Sequence, residues 1–470
     1  MEETYTDVPA EEKEESIDYL EEREELTGQR IRDMLEQKQY KELKEELEHN
    51  MYPVDLAEIL EEFDQKQMVM VFRLLAKEEA AETFAYMNSD MREVLINALT
   101  DSELEEVMEE MYLDDTVDVL EEMPANVVDR LLMATNEETR VQINQLLQYP
   151  EDSAGSIMNV DYIALRKDMT VADSILKIRQ VGLNRETIYT CYVTEKRKLI
   201  GLVDVKELLT TSESKTIEEI METNTLYAYT TDDQEDVART ITKYGLIALP
   251  IVDHEMCMVG IVTVDDAMLV LQEEETEDIS IMAGVSPNEE TYFGTGVFKH
   301  VRGRIPWLLF LMLSATTTQM IMNHYEKALA VMPQLAGFIP MLMGTGGNCG
   351  SQSSTLVIRG IAVGEIEFKD IGKVIFKEVR VALLVSAALS VVNGLRILLM
   401  GQGDPMIAVT IGATMACTIV IAKIVGGTLP LLAKKIGLDP AIMATPLIST
   451  LVDTSTVTVY FMIVSAVFKM

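Results

Sequence analysis

Four cysteines and four histidines are all that 470 residues provide. Cys191, Cys257, Cys349 and Cys417 form no C-x-x-C pair, and His49, His254, His300 and His324 are scattered. That spacing excludes a zinc-type cluster and a dense disulfide framework and suits reduced thiols in a cytosolic setting. Basic residues are scarce in the longer part of the chain. The first 300 residues hold 26 Lys/Arg against 70 Asp/Glu, a net charge of −44, whereas residues 301–470 hold 13 against 8. An acidic surface of that strength repels nucleic-acid phosphates and attracts multivalent cations. The chain does not open on a basic segment followed by an apolar run, so no cleavable signal peptide is expected. With no P-loop and no nucleophile–base constellation in the sequence, no enzymatic activity is expected.

What the sequence does hold falls into several textures, as its length leads one to expect. Residues 1–28 are charge-dense without a core pattern and read as a disordered acidic extension. Over residues 29–150, apolar side chains recur at helical spacing, for example Leu56, Ile59, Leu60 and Phe63, and again Val127, Val128, Leu131 and Leu132. Short breaks at Tyr52-Pro53, Asn88-Ser89-Asp90, Leu113-Asp114-Asp115 and Met123-Pro124 predict an α-helical domain of short helix hairpins stacked as a solenoid-like superhelix. Asp114 and Asp118 stand four apart and share a helix face.

Residues 151–272 change to β-branched runs alternating with helical ones, and the stretch repeats. Ile157-Met158 and Gly182 recur as Ile220-Met221 and Gly245 at an offset of 63, and Gly201 recurs as Gly260 at an offset of 59. Each copy reads strand, helix, strand, strand, helix. The duplication resembles a tandem pair of CBS (cystathionine-β-synthase) domains, an α/β module of a kind that often binds adenosine nucleotides, so the resemblance makes ATP a candidate ligand. Residues 273–304 crowd Glu273, Glu274, Glu275, Glu277 and Asp278 and then turn basic at Lys299, Arg302 and Arg304. Like charges at that spacing repel, and a divalent cation relieves the repulsion. This segment is expected to be a helix coupling the soluble part to a membrane part.

Residues 305–470 hold five candidate spans, roughly 305–323, 328–358, 381–400, 406–432 and 441–468, an all-α transmembrane domain. Lys and Arg cluster before span one, between spans two and three and between spans four and five. By the positive-inside rule the acidic part is then cytoplasmic and the C-terminus outside, in a multi-pass protein of the plasma membrane. Span two carries the run GTGGNCGSQSST, from Gly344 to Thr355, which reads as a broken helix lining a pore; small residues for close helix packing are the competing reading. Lys423 is a buried charge in span four whose role the sequence leaves open between snorkelling, pairing and repelling cations.

The last span, AIMATPLISTLVDTSTVTVYFMIVSAVF, has one charge, Asp453, near its middle. A carboxylate there costs about 2.5–3.5 kcal/mol on insertion scales, so it is expected to face a wet path or a partner. Pro446 is expected to free helix carbonyls beside Ser449 and Thr450, and carboxylate, hydroxyl and carbonyl oxygens together suit a hard cation.

The stretches GFIPMLMGTGGNCGSQSSTLVIRG and GLDPAIMATPLISTLVDTSTVTVYF resemble the signature of MgtE-type magnesium channels, and the order of parts agrees from about residue 30 onward. The resemblance implies a homodimeric, Mg²⁺-selective channel with its pore on the dimer axis between spans two and five. It places Asp453 at the selectivity position and Thr450 and Asn348 in the pore wall. It also implies gating by cytosolic Mg²⁺ bridging Asp114 and Asp118 of the N domain and Asp265, Glu275, Glu277 and Asp278 after the second CBS domain, with Asp266 adjoining. Charge density alone adds Asp232, Asp233, Asp236 and Asp253. The expected partners are therefore a second copy, the bilayer and Mg²⁺, and not nucleic acid. The rival is a secondary transporter with Asp453 as an H⁺ or Na⁺ carrier site, against which stands the lack of an evident inverted repeat. A membrane-tethered sensor that moves no ions is a third reading.

Overall fold

A computed structural model of the chain describes residues 27–288, 292, 294–326, 332–399, 405–443 and 445–469. The expected acidic extension lies almost entirely outside the described residues, as do the start of the second expected span and the end of the third. The chain divides into two compact units, Met1–Leu271 and Gln272–Met470.

In the first unit ten helices precede the first strand among the described residues: α1 (27–36), α2 (Tyr40–Asn50), α3 (Pro53–Glu61), α4 (Gln65–Phe72), α5 (Lys77–Tyr86), α6 (Ser89–Ala98), α7 (Asp101–Glu110), α8 (Leu113–Glu122), α9 (Ala125–Ala134) and α10 (Glu137–Leu146). Between α3 and α10 successive helices start twelve residues apart. Side-chain caps stop several of them from running together: Asp64 on α4, Asn88 on α6, Thr100 on α7 and Asn136 on α10 accept from the first-turn amides. Alternate helices pack together, α3 on α5, α5 on α7 and α7 on α9, with α4 on α6. Leu60, Phe84, Leu95, Leu104 and Leu131 are fully enclosed, each contributing about 1.5–3 kcal/mol by burial. Ion pairs recur as well: Arg32–Glu62, Arg73–Glu103 and Arg92–Glu122 all join residues thirty apart. The solenoid of short hairpins is as expected, with a twelve-residue period.

The α/β part contains two three-stranded sheets. β1 (Ala164–Leu165) pairs parallel with β2 (Thr190–Glu195), and β2 pairs antiparallel with β3 (Lys198–Asp204). β4 (Ala228–Tyr229), β5 (Ala248–Val252) and β6 (Met258–Thr263) repeat that order. Helix α11 (Val171–Val181) follows β1 and helix α12 (Val205–Thr210) follows β3; a short α13 (Ile217–Ile220) precedes the second copy, where α14 (Gln234–Tyr244) is the counterpart of α11. The repeated glycines explain how the copies join. A Cβ on Gly201 would come within 2.7 Å of the Glu222 carbonyl oxygen and 3.1 Å of the Met221 sulfur; one on Gly260 would come within 2.8 Å of the Asn159 carbonyl and 2.9 Å of the Met158 sulfur. Each glycine thus admits the entry segment of the other copy, so the sequence repeat is also a repeated contact.

Helix α15 (Val264–Met282) starts directly after β6 and runs without a break through the acidic cluster, so the last helix of the second copy and the start of the expected connecting segment are one helix. The second unit then has α16 (Val297–His324), α17 (Ile339–Ala362), α18 (Ile371–Leu399), α19 (Pro405–Lys435) and α20 (Thr445–Phe468). Four of these, α16, α18, α19 and α20, are long and apolar enough to cross a membrane. Helix α17 has 24 residues, about 36 Å of helix, but its glycine and hydroxyl content keeps it out of that group.

Helix α17 corrects the expectation of a broken span. The run from Gly344 to Thr355 lies inside one continuous helix, and a 3₁₀ turn, Pro333–Phe338, precedes it. Its glycines serve close packing instead. A Cβ on Gly346 would meet the Thr418 methyl at 2.6 Å and Val452 at 2.8 Å, and one on Gly350 would meet Ile448 at 2.7 Å. A Cβ on Gly426 would overlap the Gly350 carbonyl oxygen, so the backbones of α17 and α19 touch. Pro446 is corrected likewise. It is the second residue of α20, where a helix has no intrahelical partner for an N–H, so it begins the helix and does not interrupt it.

Candidate functional site

Two groups of candidate residues can be built from these elements. The first is on α20 and α17, which pack against each other. Asp453 is nine residues into α20, about 12 Å along it. Its side chain is half-buried and makes no hydrogen bond or ion pair among the described residues. The hydroxyls around it are spent on the backbone: Thr450 donates to the Pro446 carbonyl at 2.9 Å and Thr454 to the Thr450 carbonyl at 3.0 Å. Thr454 also bonds the Thr318 hydroxyl of α16 at 2.8 Å. These bonds leave the carboxylate uncommitted, and each threonine oxygen keeps lone pairs with which to accept from a hydrated ion. On α17, Asn348 is exposed, one residue past Gly347, where a Cβ would lie 3.3 Å from the Ser449 hydroxyl of α20. Asp453, Thr450 and Asn348 therefore stand on two helices in direct contact.

The second group lies where α8 meets the α/β part. Asp114 is buried, and both its carboxylate oxygens accept from the Asn159 side-chain amide, at 3.1 and 3.0 Å. The same amide reaches Glu186 at 3.0 Å. Asn159 is itself fully buried and held by paired backbone bonds with Ile261. Asp115, Asp265 and Asp266 add their charges. Burial, followed by the Asp115, Asp266 and Glu186 charges, raises the Asp114 pKa well above the usual carboxylate range. Burial and then the Asp266 charge push Asp115 up to about 6 and Glu186 up to about 7. Burial also raises Asp266, against a bond from the Thr263 hydroxyl. The Asn159 amide bonds Asp114 and Glu186 at the centre, and Arg92, which pulls Asp115 down, is itself paired with Glu122 at 2.7 Å. Among the described residues no three His, Cys, Asp or Glu side chains are close enough to hold a metal ion in this arrangement. The cluster is a concentration of negative charge that favours a cation.

The sequence candidates divide accordingly. Asp114 and Asp266 come together with Asp265 nearby, and Asp118 is exposed on the same helix as Asp114. Glu275, Glu277 and Asp278 lie on the second half of α15. The candidates taken from charge density have local work instead. Asp233 caps α14, Asp253 accepts from the Glu255 and Cys257 amides, Asp232 accepts from the Tyr229 amide, and Asp236 lies 3.9 Å from Arg239. Sequence reasoning missed Asp115, Glu186 and Asn159. Asp115 was legible beside Asp114; Glu186 and Asn159 carried no local signal, since only the packing of α8 on the α/β part selects them.

Comparison with known proteins bears on both groups. A family model described as a divalent cation transporter matches residues 339–463, one described as the MgtE intracellular N domain matches residues 51–152, and a CBS domain model matches residues 217–273. The chain is 34% identical over 446 residues to the magnesium transporter MgtE of Thermus thermophilus, covering 93% of this chain and 97% of that protein. It is 29% identical to the magnesium transporter MgtE of Bacillus subtilis, covering 88% and 92%. Among solved structures, the soluble part of a magnesium transporter matches with a TM-score of 0.50 at 26% identity, covering 53% of this chain and 99% of that one.

Proposed function

Because this chain belongs to the MgtE family of magnesium transporters, we propose that it is a homodimeric, Mg²⁺-selective channel of the plasma membrane, taking up magnesium and closing when cytosolic Mg²⁺ is high. The observation that carries the reading is Asp453, an uncommitted carboxylate in the middle of an apolar helix, beside a glycine-rich helix. Mg²⁺ dehydrates reluctantly and is held by one or two carboxylates plus waters. Two Asp453 carboxylates on a dimer axis would hold the ion through its water shell, with Thr450 and Asn348 as further oxygen contacts. In this reading α17 is the second of five spans, the acidic unit is cytoplasmic and the C-terminus is outside.

Closing uses the other group. Asp114, Asp118, Asp265 and Asp266, joined by Asp115 and Glu186, repel until Mg²⁺ enters between the N domain and the CBS pair; Glu275, Glu277 and Asp278 extend the same charge along α15. Asp232, Asp233, Asp236 and Asp253 drop to weaker candidates, since each already serves a turn, cap or ion pair. The ion shifts the population towards the compact arrangement because it binds that arrangement more tightly. The tandem CBS fold makes ATP a second regulatory ligand in this proposal.

Asp453→Ala is expected to abolish rescue of Mg²⁺-limited cells while the protein still reaches the membrane. Full rescue by that variant would sink the reading. Mg²⁺ current under voltage clamp with no H⁺ or Na⁺ gradient is expected for a channel; flux that requires either gradient would make the protein a coupled transporter.

A further inference from the structure

Lys423 of α19 and Glu378 of α18 are charged residues inside the helical unit, and both are nearly inaccessible. Their groups lie 3.7 Å apart, and Ser353 of α17 joins them: the Lys423 ammonium donates to the Ser353 hydroxyl at 3.0 Å, and that hydroxyl donates to Glu378 at 2.6 Å. Ser353 is fully buried. Gly427, on α19 one turn past Lys423, makes room for the carboxylate's stem, since a Cβ there would sit 3.1 Å from the Glu378 Cγ. The three side chains come from three different helices and leave no net charge.

The other contacts that hold α17 are of another kind. Gly346 and Gly350 press against Thr418, Val452 and Ile448, and the Gly350 carbonyl against Gly426. Such smooth surfaces bring helices close but define rotation and sliding weakly. Directional bonds define them well, and α17 makes them at Ser353 and at Ser354, whose hydroxyl donates to the Met443 carbonyl at 2.9 Å. All of these groups lie towards the helix ends that carry Arg359, Lys377, Arg380, Lys434 and Lys435.

We infer that Lys423, Glu378 and Ser353 form a charge-neutral clamp whose job is to hold the glycine-rich helix in register at the basic, inner end of the ion path. Lys423 thus neither snorkels nor stands as a barrier to cations: its charge is cancelled where it lies. The three are positioning residues, which touch the ion only through the helix they hold. This rests on the reading that α17 flanks the path.

The test uses the full chain in proteoliposomes, with Mg²⁺ flux counted per protein that elutes as wild type does. Lys423→Met and Glu378→Gln each leave one buried charge uncompensated and are expected to lower maximal flux by about tenfold, with the half-saturating Mg²⁺ concentration unchanged. The neutral double variant Lys423→Met/Glu378→Met is expected to recover flux to within about threefold of wild type. Ser353→Ala keeps both charges, so it folds even where the single charge variants do not, and is expected to lower flux by about threefold. Wild-type flux in Ser353→Ala, or a double variant no better than the worse single, overturns the clamp. A gradient requirement in wild-type protein would overturn the channel reading and leave this comparison of variants intact.

Discussion

The two units bury charge in opposite ways. In the helical unit Lys423 and Glu378 are opposite charges bridged by a hydroxyl, and their sum is zero. Where α8 meets the α/β part, Asp114, Asp115, Glu186 and Asp266 are like charges with an amide between them. Removing two ions from water costs several kcal/mol each, and only a partner of opposite sign offsets it. The balanced site is complete by itself. The unbalanced one is relieved by a proton or a cation, which is why the proposal makes it the place where the chain responds to its surroundings. Asp453 is the same case reduced to one residue: a half-buried carboxylate that makes no hydrogen bond or ion pair among the described residues, which is why the proposal places the ion there.

The largest expected effect comes from the contact that needs no ion. Gly426→Leu places a side chain where the Gly350 carbonyl lies, and the helix backbones must part. Transport is expected to fall to background at every Mg²⁺ concentration, and size-exclusion of the detergent-solubilised protein should show loss of the wild-type peak. A variant that transports normally would mean that the glycine crossing tolerates separation, and the contrast between a fixed and a responsive unit would weaken.

Next is the acidic cluster beside α8. Asp115→Asn/Glu186→Gln removes two of the mutually repelling charges. The acidic unit is then expected to resist protease at Mg²⁺ concentrations about tenfold lower than wild type, because less repulsion has to be overcome. A shift to higher Mg²⁺ would mean that these carboxylates act chiefly as ligands. Protons should act in the same place. Asp115 is raised from an ordinary 3.8 to about 6 and Glu186 from 4.5 to about 7, so the folded state holds those protons more tightly than the unfolded chain does. Their contribution is complete below about pH 4 and is lost as pH rises through 6 and 7. Without divalent ions, thermal melting of the full chain should therefore fall by several degrees between pH 5 and pH 8. With millimolar Mg²⁺ the slope should flatten.

How much of this could be read from the sequence depended on whether a signal was local. The CBS repeat was legible because paired glycines and Ile-Met steps recur at fixed offsets, and the structure turns that recurrence into one contact made twice. Asp453 was legible because a charge inside an apolar run is costly wherever it lies. The glycine run of α17 was legible as special but misleading in kind: glycine permits a break and also permits contact, and only the neighbours Thr418, Ala422 and Val452 decide between them. Glu186 and Asn159 were invisible, since each is an ordinary polar residue until α8 is laid against it. Lys423 could be seen as buried, but its partner stands 45 residues away on another helix.

The smallest effect separates structure from response within the acidic unit. Thr100 caps α7, accepting from the Glu103 amide at 3.3 Å while the Glu103 carboxylate accepts from the Thr100 amide at 2.8 Å. Arg73 pairs with that same carboxylate at 2.9 Å, and together these bonds hold Glu103 below the usual carboxylate range. This acid has a cation for a partner, as Glu378 has, whereas Asp114 is bonded by the neutral Asn159 amide. Thr100→Ala is expected to cost about 1 kcal/mol of stability in chemical denaturation. It should leave the Mg²⁺ concentration for protease protection where it was, because no unbalanced charge is touched. A shift in that concentration would show that the ion senses the stability of the whole solenoid, and the division between balanced and unbalanced charge would then not be what makes the unit respond.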